Sequence, residues 1–164
     1  MLASGLPATA LRPGHILGAG KELGSGSIQG RDKNLLRSMR AGTGLTHIAE
    51  GEYLIAPVWT KQIALAVAAC VGKSATHGQV MNCPGGEIVT TRQYYHLIAD
   101  RLGVPLKFDS IGGREYREKF PDKRPFARHR IYDTSNLRDL ASYTPAPMLN
   151  DAIAETVDWM EKNL

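Results

Sequence analysis

The sequence predicts an α/β fold with at least some parallel strand pairing. Short strand-like runs alternate with helical patterns along the whole chain, one helix has both of its ends marked, and no internal repeat or low-complexity tract breaks the alternation. Met1 to Leu17 reads as a loop followed by a strand. Arg12–Pro13–Gly14 interrupts that strand, because proline cannot donate to a ladder and must sit at an end or an edge. Residues 18–30 hold five glycines and little that is apolar, so they read as a loop. Asp32 can cap a short helix over Asp32–Arg40, with Leu35, Leu36 and Met39 on one face.

Residues 53–59, YLIAPVW, are strand-like, and Thr60 can cap a helix directly after them. Ile63, Val67, Cys70 and Val71 then recur at helical spacing until Gly72 stops them. GQVMNCPGG reads as a short buried strand ending in a turn. VTTRQYYHLIADRLG is the clearest helix: Thr90 or Thr91 caps it, Tyr94, Tyr95, Ile98 and Leu102 form its apolar face, and Gly103 ends it. VPLKFDSI is another strand, GREYREKF and TSNLRDLA are short helices, and Leu149, Ile153, Val157, Met160 and Leu164 stripe the last helix.

A chain of 164 residues suits one domain with a proper core. Apolar residues at 43% and charged residues at 22% are those of a soluble globular protein. The net charge of +4 is mildly basic, but its cations are spread thinly apart from Lys119–Arg130. Only Phe120 and Phe126 interleave there, which argues against nucleic acid as a partner. Cys70 and Cys83 share no metal-type spacing and read as reduced thiols of a cytoplasmic protein; no metal site is expected. No apolar run approaches the roughly 20 residues of a membrane span, and no basic region precedes the short apolar stretch at the N-terminus.

HILGAGKELGSG, residues 15–26, places Gly18, Gly20 and Gly24 in the spacing G-x-G-x-x-x-G. A dinucleotide-binding turn needs more than glycines. The strand must lead straight into a helix facing the pyrophosphate, with an acidic residue about 20 positions on for the ribose. SGSIQGRDKN comes after Gly24 and cannot run as an apolar-faced helix. The glycines instead suit a strand end that turns tightly beside a ligand or another backbone.

Several segments together resemble the second half of the extended short-chain dehydrogenases/reductases, the NAD-dependent epimerase/dehydratase family. LRPGHILGAG resembles the family's late strand and Gly-Pro-Gly turn, with His15 at an Asn-like position and Ala19 for the proline. LLRSMRAG, AEGEYLIAPVW and TKQIA are similar to its basic helix, its turn and strand, and the start of the next helix. GQVMNCPGGEIVTTRQYYHLIADRLGVPL and YDTSNLRDLASYTPAPMLNDAIAETVDWMEKN resemble its later strand and helix and its closing segment. The resemblance implies the C-terminal portion of a Rossmann-type enzyme, with late sheet strands and a small mixed α/β substrate-binding lobe. Residues 1–164 would be one domain: 1–24 the late strand and turn, and 25–164 mainly the lobe, with one further core strand near 79–83. The glycine turn would then lie over nicotinamide and substrate, not under pyrophosphate.

The resemblance also implies site residues. Pro13 and Gly14 would bring backbone close to the nicotinamide, against the plainer reading of a strand end. His15 would take the substrate-facing polar position, where either tautomer could bond a sugar or alcohol hydroxyl; the alternative is a satisfied loop histidine. Arg124 precedes Pro125 where nucleotide-sugar members place an arginine that grips a diphosphate, unless it is a solvated member of the basic run with Arg128 and Arg130. The arginine that many such members carry before the next helix is absent, and Lys61–Gln62 replaces an aspartate. A pocket of Tyr53, Ile55 and Trp59 would favour a less charged substrate, such as a ketone, aldehyde or small lactone.

The family's catalytic Tyr-x-x-x-Lys is missing, since none of the six tyrosines has lysine four residues on, and Tyr116 with Lys119 has the wrong spacing. No catalytic residue is therefore assigned. The resemblance implies that the chain begins after the catalytic helix. It would be the substrate-binding part of an NAD(P)-dependent epimerase, dehydratase or reductase, acting on a sugar or small carbonyl or alcohol. NAD or NADP would serve the whole enzyme, with none bound by this chain by itself. A missing cofactor-binding half or a homodimer would cover the exposed sheet edge. A non-catalytic binding or interaction module that keeps the lobe's fold is the competing expectation.

Overall fold

Proline and glycine divide the first strand as its sequence requires. In the computed structural model, which describes residues 6–24 and 31–163, strand β1 (Ala10–Pro13) stops at Gly14 and strand β2 (His15–Leu17) begins at once. The two halves pair with different partners. β1 lies parallel to β6 (Val80–Cys83), while β2 lies parallel to β5 (Pro57–Trp59). Strand β3 (Leu45–Ile48) pairs parallel with β8 (Phe108–Ile111), and β4 (Leu54–Ile55) pairs antiparallel with β7 (Val89–Thr90). The predicted mixed α/β fold with parallel pairing is what forms.

Helix α1 (Leu35–Arg40) buries Leu35, Leu36 and Met39 as expected, but starts three residues late. Asp32 makes a turn ahead of it instead: its carboxylate accepts the Asn34 N–H and its carbonyl accepts the Leu35 N–H. Helix α3 (Thr91–Leu102) carries a complete capping box, in which Thr90 and Gln93 each accept the other's backbone N–H. Gly103, at φ 65°, closes it, and the Val104 N–H bonds back to the Ala99 carbonyl. That bond commits Val104 to the helix end, so the expected strand over 104–111 shrinks to β8. Strand β3 was not expected, because LTHI carries too little apolar alternation to declare itself.

Helices α4 (Gly113–Lys119) and α5 (Ser135–Ala141) match the two short helices read from sequence. Helix α6 (Leu149–Asn163) buries Leu149, Ile153, Val157 and Met160, while Leu164 lies outside the described residues, as do residues 25–30 of the glycine-rich loop. Its stripe packs with α1, α3, Leu17 and Trp59 into the main core. A second cluster joins Met81 and Cys83 of β6 to Leu137 and Ala141 of α5 through Ala66.

Ala66 belongs to helix α2 (Thr60–Cys70), whose predicted face holds in part, since Ile63 and Cys70 pack on this cluster. Gln62 and Ala66 are its buried residues, whereas Val67 and the adjoining Val71 remain 50% and 75% exposed. The small Ala66 side chain is what faces α5 and β6, which rotates the valines outward. No helix among the described residues is long and apolar enough to cross a membrane.

Candidate functional site

Gly14 is the point where the chain leaves one strand pair for another. A Cβ there would stand 2.6 Å from the Ala56 carbonyl oxygen, so only glycine lets the strands approach this closely. Its own N–H still reaches the Cys83 carbonyl at 3.4 Å. In open α/β sheets, ligands collect outside the carboxyl ends of parallel strands where the strand order switches. The carboxyl ends of β1 and β6 meet here, at Pro13 and Cys83. Beyond them opens a cleft of about 180 Å³, whose lining includes Ala56, Pro84, Gly85, Ile88, Tyr132 and Thr134.

His15 comes next in the chain. Its Nε2 lies 3.4 Å from the hydroxyl of Tyr94, a wholly buried residue of α3, with the rings edge to face at 5.7 Å. Burial, with the charges of Arg31 and Arg130, lowers the His15 pKa from 6.5 to about 3, so the ring is neutral at physiological pH. Burial and the nearby Tyr95 raise the Tyr94 pKa well above its usual 10, so the phenol keeps its proton. This pair can present hydrogen bonds but cannot serve as an acid–base couple near pH 7.

The aromatic contacts continue inward. Tyr94 meets Tyr95 at 5.3 Å, Tyr95 meets His47 at 5.2 Å, and His47 leans on Phe108 at 4.7 Å. His47 is 2% exposed and its Nε2 has no hydrogen-bond partner among the described residues. It borders a small cavity of about 10 Å³, shared with Tyr53, Thr91, Tyr95, Phe126 and Arg130, roughly the room one water needs. Burial first, then Arg92 and His96, lower its pKa to about 4.

The residues singled out from sequence separate. Tyr53 packs edge to face on His129 and lines the inner cavity. Trp59 does not join it. Its indole donates to Glu155 of α6 at 3.0 Å, Lys61 lies over the ring, and the side chain is 6% exposed within the main core. Ile55 is also core, at 1% exposure, so the expected pocket of Tyr53, Ile55 and Trp59 does not form. Arg124 is exposed in a 3-10 turn, and its Nε donates to the Arg117 carbonyl at 3.0 Å. Pro13 is exposed at the end of β1 and is not among the residues that line the cleft. Sequence reasoning missed His47 altogether and took Tyr94 and Tyr95 only as an apolar face. The polar tips on that face were the one available signal.

No family model matches the chain, and no curated protein matches it. Solved structures do. UDP-N-acetylglucosamine 4-epimerase from Methanobrevibacter ruminantium, solved with UDP-N-acetylmuramic acid, is 21% identical with a TM-score of 0.73, over 98% of this chain and 48% of that one. UDP-glucose 4-epimerase from Thermotoga maritima, solved with UDP-glucose, is 19% identical with a TM-score of 0.70, over 96% and 47%. dTDP-glucose 4,6-dehydratase from Bacillus anthracis, solved with NAD, is 17% identical with a TM-score of 0.69, over 98% and 47%. The chain therefore spans about half the length of the structures it matches. Over that half it has the fold of these UDP-sugar 4-epimerases and this dTDP-glucose 4,6-dehydratase.

Proposed function

We propose that this chain is the substrate-binding, C-terminal part of an NAD(P)-dependent epimerase, dehydratase or reductase that acts on a sugar or a small carbonyl or alcohol. The observation that carries the reading is the shared fold over nearly all of this chain and half of each epimerase. The cleft beside Gly14 supports it, since it opens where parallel strands end and change partners. Residues 1–24 then supply the late strand and turn, and 25–164 mainly the lobe.

Nicotinamide dinucleotide, held by another part of the enzyme, would exchange hydride with the substrate. Two donors of the described part of the glycine loop are already taken by the chain itself. The Gly18 N–H is given to Thr156 Oγ1 at 2.9 Å and the Leu23 N–H to Met160 Sδ at 3.4 Å, both on α6. Those donors face the protein's own interior, so a phosphate cradle is not open there. Pro13 and Gly14 remain to border the nicotinamide ring, while His15 and Tyr53 contribute polar contacts to substrate. Arg124 would have to leave the Arg117 carbonyl to reach a diphosphate.

A second reading, an interaction module completed by another chain, draws on the surface beside β1. Thr9, Leu11, Val67, Cys70 and Val71 line an open groove of about 350 Å³. β6 is the one strand paired with β1 among the described residues. A cofactor-binding half or a second copy would cover both groove and edge.

Isothermal titration of NAD+ and NADPH into the 164-residue chain, with its solution mass recorded, tests the first reading. The expected result is no binding by either cofactor. Micromolar binding would mean that the glycine loop does hold phosphates and would overturn it. A dimeric mass would favour the second reading.

A further inference from the structure

The wholly buried Tyr94 hydroxyl must give its proton to an acceptor, because an unsatisfied buried donor costs about 1–3 kcal/mol. Among the described residues, the geometric partner of its oxygen is His15 Nε2 at 3.4 Å. For the buried proton to find an acceptor there, the phenol donates to Nε2. A neutral imidazole carries one proton. If Nε2 accepts, that proton is on Nδ1.

We infer that Tyr94 is a positioning residue that locks His15 in its neutral Nδ1–H form, making it a fixed hydrogen-bond donor toward an acceptor oxygen of the ligand. A carbonyl, hydroxyl or phosphate oxygen meets that requirement, whereas an ammonium or a group with only donor hydrogens does not. The inference rests on the reading that His15 faces substrate, and it narrows what the ligand presents there. His15 could have served in either tautomer on sequence grounds; the phenol beneath it removes one.

The surroundings hold this state. Arg31 donates to the Ile16 and Glu22 carbonyls at 2.9 and 2.7 Å and thereby ties the turn near His15 to the segment before α1. Arg31 and Arg130 are the charges bearing on the ring, and both oppose an imidazolium. Tyr94, the other titratable group against the ring, stays protonated and leaves His15 its role as acceptor.

The test is 15N-edited NMR of the imidazole nitrogens in the full, uniformly labelled chain. A single Nδ1–H tautomer that does not titrate between about pH 5 and 8 is expected. Tyr94→Phe, which removes only the donor, should release the lock and yield a mixture of tautomers. An Nε2–H tautomer in the unmodified chain, a titration within that range, or an unchanged tautomer in Tyr94→Phe would each overturn the inference. Should Tyr94→Phe fail to fold, the tautomer of the unmodified chain still decides. Addition of UDP-glucose separates the two readings. A shifted Nδ1–H supports a ligand-facing His15. An unmoved Nδ1–H on adding UDP-glucose and, separately, a small ketone, with the tautomer intact, overturns the substrate reading and leaves the lock standing.

Discussion

Gly14→Ala is the most informative single change in this fold. The new Cβ would stand 2.6 Å from the Ala56 carbonyl oxygen, below any ordinary carbon–oxygen contact. Ala56 cannot easily retreat, because it links β4 to β5 and the adjoining Pro57 is paired with His15 across the β2–β5 ladder. Relief therefore requires β1 and β2 to shift against β5, a local overpacking that costs about 1–3 kcal/mol. For a chain of this size, each kcal/mol lowers the melting temperature by about 2–4 °C, giving an expected loss of roughly 2–12 °C. Gly44→Ala is the control, since its nearest neighbour, Asp109 Oδ2, stands at an ordinary 3.6 Å. It should melt within about 2 °C of the parent chain, equivalent to a surface change near 0.5 kcal/mol. Differential scanning calorimetry of the two variants reads the contrast. If Gly14→Ala melts with Gly44→Ala, the close approach at the strand switch is wrong, and so is the cleft geometry built on it.

Ala49 and Glu50 both hold left-handed backbone, at φ 49° and 55°, pinned where Ser110 accepts the Glu50 N–H at 2.8 Å and Arg92 grips its carbonyl. Replacing Ala49 by glycine should relieve strain beyond its entropic cost, for a net gain of roughly 0.5–1 kcal/mol in urea unfolding. His15 and His47 have folded pKa values of about 3 and 4, below the ordinary 6.5. Between those values the unfolded chain takes up protons that the folded chain refuses, so stability is complete above about 6.5 and declines as pH falls toward 4 and 3. Denaturant unfolding at pH 7 and about pH 5 should show this decline, and His47→Gln should flatten part of it; a slope of the opposite sign would contradict neutral buried rings. Val67→Glu should change stability by no more than about 0.5 kcal/mol, because the side chain is half exposed. If a second chain covers the groove beside β1, the same change should abolish that association in analytical ultracentrifugation.

Some of this structure is determined by the sequence itself. The limits of α3 come from Thr90, Gln93 and Gly103, and the stripe of α6 from a repeat every three or four residues. The break after β1 comes from proline's missing N–H and the glycine beside it. These signals act within a turn or two of chain, and their geometry barely depends on distant contacts. The order of the segments also carried the resemblance to epimerases and dehydratases, which the shared fold bears out.

Tertiary structure decided the rest. β3 exists because β8, some sixty residues later, offers it a ladder, and nothing local in LTHI announces that. Trp59 looked like a pocket residue until Glu155 of α6 took its indole N–H and drew it into the core. α2 shows Val67 and Val71 outward because α5 and β6 had room for Ala66, a choice made by packing between segments and not by the helix's own pattern. His15, Tyr94 and His47 come from a strand, a helix and another strand, brought together only when the core closes around them. Periodicity tells which face of an element is apolar. Which partner meets that face, and which polar atom at its tip finds an acceptor, depends on contacts between residues far apart in sequence, and only the folded chain supplies them.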